Sequence, residues 1–295
     1  MPEKSLNKSK RPKKQPHMPL LYRLIRLIFS RVGPLFPNYF GNLAYDLWFS
    51  TQRFKTPAKE LPSKESATIA NLDVHGLPVT MYQWGNLDAP KVLFIHGWSG
   101  RGTQCAFFIE PLLQAGFQII SFDGPAHGET PGKQTSVLQF ADAILQIDKH
   151  YGPFDAAITH SFGGMLLAYA MTIGIKIKRT VCICPPDSFD TIFNGFQRTL
   201  NLPDSVMNVV NTKFYATHGY KLRNDVSTVT TAKQLSNQAL IIHDENDTDV
   251  GVSCGKKVAD AWPNSKFIMT KGLGHRRIIR DANVIQTAID FISSP

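Results

Sequence analysis

One stretch brings together residue types that could do chemistry: Thr159-His160-Ser161-Phe162-Gly163-Gly164, which follows the apolar run at 154–158. A serine hydroxyl is a weak nucleophile until a base stands beside it. A strand, a sharp turn and a helix would hold Ser161 in a strained backbone and push its oxygen past the edge of a sheet. The apolar run from Met165 to Met171 predicts that helix, whose free N–H groups and positive dipole end favour an anion forming nearby. Gly163 and Gly164 leave room where strand and helix approach. Thr159 stands where such a turn ordinarily has a glycine. The plainer reading is a strand-to-helix turn with glycines for packing.

A base and an acid must come from elsewhere in the chain. Nine histidines compete for the first role. His275 sits among glycines, in Gly272-Leu273-Gly274-His275. His160 adjoins Ser161, but neighbouring side chains at such a turn point apart, so it reads as packing. His127 and His243 follow or end strands and read as structural, and His96 as a loop-shaping hydrogen-bonder. The run His243-Asp244-Glu245-Asn246-Asp247-Thr248-Asp249-Val250 offers four carboxylates.

These residues need elements to position them. Residues 67–74 and 77–84, split by His75-Gly76, predict a hairpin. Further strands are expected at 91–95, 117–122, 154–159, 179–184, 239–243 and 266–270. Helices are expected at 103–115, 136–151, 162–173, 252–262 and 278–293. Such alternation implies an α/β fold, with a mostly parallel central sheet and helices on both faces. Residues 187–237 break the rhythm with two apolar-faced helices, near 189–200 and 205–218, and predict a small helical cap.

The chain has 295 residues, 43% hydrophobic and 19% charged, enough for one sizeable core. No repeat or linker divides the part after residue 60. The expected organisation is a basic arm with amphipathic helices over 1–60 and one domain over 61–295, with the cap inserted at about 187–237. The net charge of +9 is concentrated: residues 1–31 hold nine Lys or Arg against Glu3 alone. A nucleic-acid-binding body would carry its charge on the folded part, so no nucleic-acid partner is expected. Cys182 and Cys184, two apart in an expected strand, would share a face; with Cys105 and Cys254 they suggest reduced thiols in a cytoplasm. There is no phosphate-cradling loop and no metal-ligand spacing, so neither cofactor nor metal is expected.

Residues 20–32 predict an amphipathic helix and 42–54 a second. The first is too short to span a bilayer, and Arg23 and Arg26 interrupt it. It would either cover an apolar surface of the body or lie on an anionic membrane through residues 18–32.

Taken together, the pieces resemble the α/β-hydrolase fold family over residues 66–295. The resemblance rests on His96-Gly97-Trp98 after the third strand and on Asp123-Gly124-Pro125-Ala126-His127-Gly128 after the fourth. Ser161 at the turn, an acid after the seventh strand and a histidine after the eighth complete it. The resemblance implies that Ser161 is a nucleophile, His275 its base and Asp247 the orienting acid. Asp249 and Asp244 in the same loop are alternatives, and so is Asp187, because some relatives take the acid after the sixth strand. It also implies an oxyanion hole made by the backbone N–H groups of Phe162 and Trp98. The activity implied is cleavage of an ester or related acyl bond through an acyl-enzyme, as in a carboxylesterase, with thioesterase, lipase or lactonase chemistry as variants. The apolar cap points to a small-molecule acyl substrate with a hydrophobic part, and His96, Phe193 and Phe214 are candidates to line its pocket. The competing readings are an inactive relative serving as a binding or scaffold protein, and a membrane-surface interaction protein.

Overall fold

The computed structural model describes residues 20–294. Its strands are β1 (Thr68–Val74), β2 (Leu77–Trp84), β3 (Lys91–Ile95), β4 (Gln118–Phe122), β5 (Ala156–His160), β6 (Arg179–Ile183), β7 (Gln238–Asp244) and β8 (Ser265–Thr270). They form one sheet in the order β1-β2-β4-β3-β5-β6-β7-β8. β3 to β8 pair in parallel, and β2 runs antiparallel to both β1 and β4. β5, which ends at Ser161, lies between β3 and β6, so the loops leaving those two strands flank the serine.

The middle strands are apolar on both sides. In β3, Leu93 and Ile95 enter one cluster and Val92 and Phe94 the other; β5 divides Ala157 from Ala156 and Ile158 in the same way. A side chain the size of Leu93 contributes about 1.5–3 kcal/mol when buried. The helices are α1 (Leu20–Arg31), α2 (Pro37–Phe49), α3 (Leu61–Glu65), α4 (Ala106–Gln114), α5 (Val137–Tyr151), α6 (Phe162–Thr172), α7 (Phe189–Leu200), α8 (Asp204–His218), α9 (Lys221–Asp225), α10 (Thr228–Ala232), α11 (Val252–Ala261), α12 (Gly274–Arg277) and α13 (Ala282–Ser293). α5, α6 and α11 cover one face of the sheet, and α4 and α13 the other. Ser136 and Ser188 cap α5 and α7 by accepting from Gln139 and Thr191 amides, a device worth about 1 kcal/mol per helix.

Several expectations need correction. The helix expected at 42–54 runs from Pro37, whose ring pre-sets a first-turn backbone, and stops at Phe49. The residues after it form a strap. Thr51 Oγ1 donates to the Ala126 carbonyl, the Gln52 amide donates to Ser99 Oγ, and the Arg53 guanidinium donates to the Thr130 and Gly132 carbonyls. The single helix expected at 278–293 is two pieces, a 3-10 turn at Ile278–Arg280 and α13, whose start is set by the Asp281 cap, and the short α12 precedes them. The cap gains α9 and α10. Cys182 and Cys184 fall in different clusters, because the positive φ of Cys184 (52°) turns its side chain off the face that Cys182 occupies.

The division at residue 60 is not kept in the packing. α2 lies along α8 so closely that a Cβ on Gly41 would stand 2.5 Å from Val209 Cβ. Trp48 enters the cap, its ring 4.8 Å from that of Phe193 and 5.4 Å from that of Phe189. Arg26 ties α1 to the last turn of α7 by donating to the Arg198 carbonyl at 2.9 Å and to that of Thr199. The N-terminal helices and the cap therefore share one core. Among the described residues, no helix is long and apolar enough to cross a membrane.

Candidate active site

β5 ends in a sharp turn, and Ser161 takes φ 54° and ψ −124°. Few non-glycine residues adopt this conformation, which costs on the order of 1–3 kcal/mol and persists only where the surroundings enforce it. Here the Ser161 amide donates to the Ile183 carbonyl at 2.8 Å, and α6 begins at the next residue. The glycines are required by space. A Cβ on Gly163 would meet the Ile95 carbonyl oxygen at 2.4 Å, and one on Gly97 would stand 3.0 Å from Ser161 Cβ. Thr159 fits where a glycine was expected because its hydroxyl donates to the Val181 carbonyl at 3.3 Å, in space beside Gly164.

The fold brings three distant side chains together at this turn. His275 Nε2 lies 2.9 Å from Ser161 Oγ, and His275 Nδ1 lies 2.6 Å from Asp247 Oδ2. An ionised carboxylate only accepts, so Nδ1 carries a proton and, in the neutral ring, Nε2 is free to accept from Ser161. Asp247 Oδ1 accepts from the Asp249 and Val250 amides, each at 2.9 Å. Burial pushes the Asp247 carboxyl up, but bonds from His243 and His275 outweigh it and hold the group far below the usual carboxylate range. Among the described residues, the amides of Phe162 and Trp98 have no acceptor, and the Trp98 ring stands edge-on to Phe162 at 5.4 Å. A hydroxyl within hydrogen-bond reach of an imidazole that a carboxylate orients is an arrangement able to attack a carbonyl.

A family model described as the alpha/beta hydrolase family matches residues 92–278. The chain belongs to that family. A stretch of 149 residues, 48% of this chain and 39% of the relative, is 28% identical to the dihydrolipoyllysine-residue acetyltransferase component of an acetoin cleaving system from Cupriavidus necator. Another, of 158 residues, is 27% identical to Esterase YjfP of Escherichia coli, covering 49% of this chain and 61% of that one. The chain thus spans less than two thirds of either curated relative. Among solved structures, a putative lipase from Acinetobacter baumannii superposes with a TM-score of 0.62 at 16% identity, over 82% of this chain and 97% of the other. That likeness is one of fold.

Four other histidines of this hydrolase-family chain, His96, His127, His160 and His243, are committed elsewhere. His96 Nε2 accepts from the Gly124 amide and its Nδ1 donates to the Gly97 carbonyl, so it joins the loops after β3 and β4. Burial pushes it down to about 4. His127 Nε2 accepts from the Ser99 amide; burial, then the neighbouring His96, push it down to about 3. His160 donates from Nε2 to the backbone carbonyl of His275 at 2.8 Å. Burial, then the neighbouring His275, push it down to about 3. His243 Nε2 donates to the Val250 carbonyl at 2.9 Å and stands 3.4 Å from Asp247 Oδ2. Cys184, His243 and Asp247 offer ligand atoms within 4.8 Å of one another. Yet that His243 nitrogen already donates to Val250, and burial raises the Cys184 thiol, so the group supports Asp247.

The expected pocket residues lie in the packed interior. His96 is buried between loops. Phe193 and Phe214 lie in an aromatic core with Phe189 and Trp48, under the Arg223 guanidinium, 4.2 Å and 5.0 Å from the two rings. The apolar faces of α7 and α8 are taken up by packing against α2, a contact the sequence did not signal.

Two carboxylates matter more than expected. Asp244, the other acid beside Asp247, accepts from Gly274 and Asn246 amides on Oδ1 and from the Leu273 amide and Thr270 hydroxyl on Oδ2. It anchors the loop that delivers His275. Asp123 joins the loops after β3 and β4 by accepting from the Gly102 and Glu129 amides and the Tyr82 hydroxyl. Its signal lay in the stretch at 123–128, where a Cβ on Gly128 would strike the carboxyl at 2.2 Å. Glu60 adds a buried bidentate pair with Arg101 at 2.7 and 3.0 Å. Asp187, the alternative acid after β6, is held by Lys257 and Thr191. Asp249 stands 3.6 Å from Arg276.

Proposed function

We propose that the chain is a serine hydrolase that cleaves an ester or related acyl bond through an acyl-enzyme. The observation that carries the proposal is the continuous relay from Ser161 Oγ through His275 to Asp247, at 2.9 and 2.6 Å. Ser161 Oγ forms a bond to the acyl carbon while its proton passes to His275 Nε2. Asp247 stabilises the imidazolium, and the amides of Phe162 and Trp98 hold the oxyanion. His275 then protonates the departing alcohol or thiol as the carbonyl re-forms. Water attacks the acyl-enzyme, gives its proton to His275, and the acid leaves as Ser161 recovers that proton. The names of the esterase and lipase relatives support ester chemistry, and the partly exposed Trp98 beside Phe162 supports a substrate with an apolar part.

A fluorophosphonate probe tests this directly. One phosphonyl adduct on the Ser161 peptide, read by mass spectrometry, is the expected result. A folded protein that stays unlabelled would favour the inactive binding or scaffold reading.

Asp244 supplies a second test, as a positioning residue. Asp244→Asn turns one of its acceptor oxygens into a donor facing donors, which loosens the His275 loop. A displacement near 1 Å costs about 10²-fold in kcat. KM should hold within about twofold, because binding equal in ground and transition states is untouched. A KM rise at constant kcat would remove Asp244 from this role.

A further inference from the structure

Among the described residues, one face of the N-terminal helices has no partner. α1 packs through Tyr22, Ile25 and Phe29 against the cap core. On the opposite side, Leu20 is 79% exposed, Leu24 51% and Leu27 53%, with Leu21 and Ile28 beside them. Past α1, Leu35 and Phe36 are exposed too, and α2 presents Tyr39, Leu43 and Leu47 at four-residue spacing. More than half of the exposed large apolar side chains among the described residues fall between 20 and 47. Monomeric proteins rarely leave such a concentration bare without a use for it.

Charge selects the occupant. No Asp or Glu occurs between Glu3 and Asp46, while nine Lys or Arg stand between residues 4 and 31. Arg23 and Arg31 are exposed on α1 itself. A second copy would bring like charge against like charge. Residues 1–19 are rich in Lys, Ser and Pro and offer little apolar surface to cover the leucines. We infer that α1 and α2 dock on an anionic phospholipid bilayer, with the leucines entering the acyl boundary and the basic residues on lipid phosphates. α2 runs into the strap that bonds Ser99 and the loop after β4, at the sheet rim that carries Ser161. The inference stands apart from the acyl chemistry.

The test is co-sedimentation of the full chain with vesicles of mixed phosphatidylserine and phosphatidylcholine. Binding is expected there, not with phosphatidylcholine alone, and it should weaken as salt rises because the attraction is screened. The double variant Leu24→Ser/Leu27→Ser alters only exposed positions, so a thermal melt like the parent's is expected. Its partition should fall by at least about tenfold. Failure of the full chain to pellet with the anionic vesicles would overturn the inference. So would undiminished binding by the variant, which would leave the basic run acting alone. A dimer in gel filtration that the variant splits would assign the face to a second copy and overturn it equally.

Discussion

Ser161→Ala is expected to lower the rate of ester hydrolysis by up to about 10⁶-fold, measured as turnover of purified protein on a soluble activated ester. The size of the loss follows from the geometry. Ser161 Oγ is the only hydroxyl facing His275 Nε2 among the described hydrogen bonds, so no neighbouring group inherits the attack. The residual rate would come from the open amides and from binding. Alanine must take the same positive φ that serine takes, so the variant is no better relieved of backbone strain than the parent. It loses one hydrogen bond, worth about 1 kcal/mol, and should fold normally. Unchanged turnover in the folded variant would remove Ser161 from the scheme.

Asp247→Asn should cost about 10⁴-fold in kcat with little change in shape. The reason is the fixed environment of the carboxylate. Oδ1 accepts from two backbone amides at 2.9 Å, so an asparagine must keep its carbonyl oxygen there. Its NH2 then occupies the place of Oδ2 and presents hydrogens to His275 Nδ1, 2.6 Å away in the parent. His275 can meet that donor only by moving its proton to Nε2, the nitrogen that must take the proton from Ser161. The variant holds the ring in place in the wrong tautomer. Retention of more than about a tenth of the parent kcat would show that Asp247 does not set the tautomer.

The alternation of strands and helices was legible because a parallel sheet covered on both faces needs nearly continuous apolar strands, as in β3 and β5. The serine turn was legible because close approach excludes a side chain at Gly163 and leaves little room for one at Gly164. Helix ends were less so: Ser50 could have continued α2, and only the strap's bonds to Ser99 and Ala126 show why it does not. The roles of Asp123 and Asp244 were hidden for a related reason. A carboxylate that ties loops together by accepting backbone N–H groups has no residue-type signature in its partners.

The sequence by itself determined the order of serine, acid and histidine, the class of sheet they stand on, and the concentration of positive charge in the first residues. Those features depend on residue type and local period, which each segment carries alone. Tertiary structure decided which carboxylate meets His275, and that Trp48 closes the cap core over Phe193. It also decided which face of α1 stays bare. Each of these is a contact between segments far apart in the chain, settled only when the strands and helices compete for the same space.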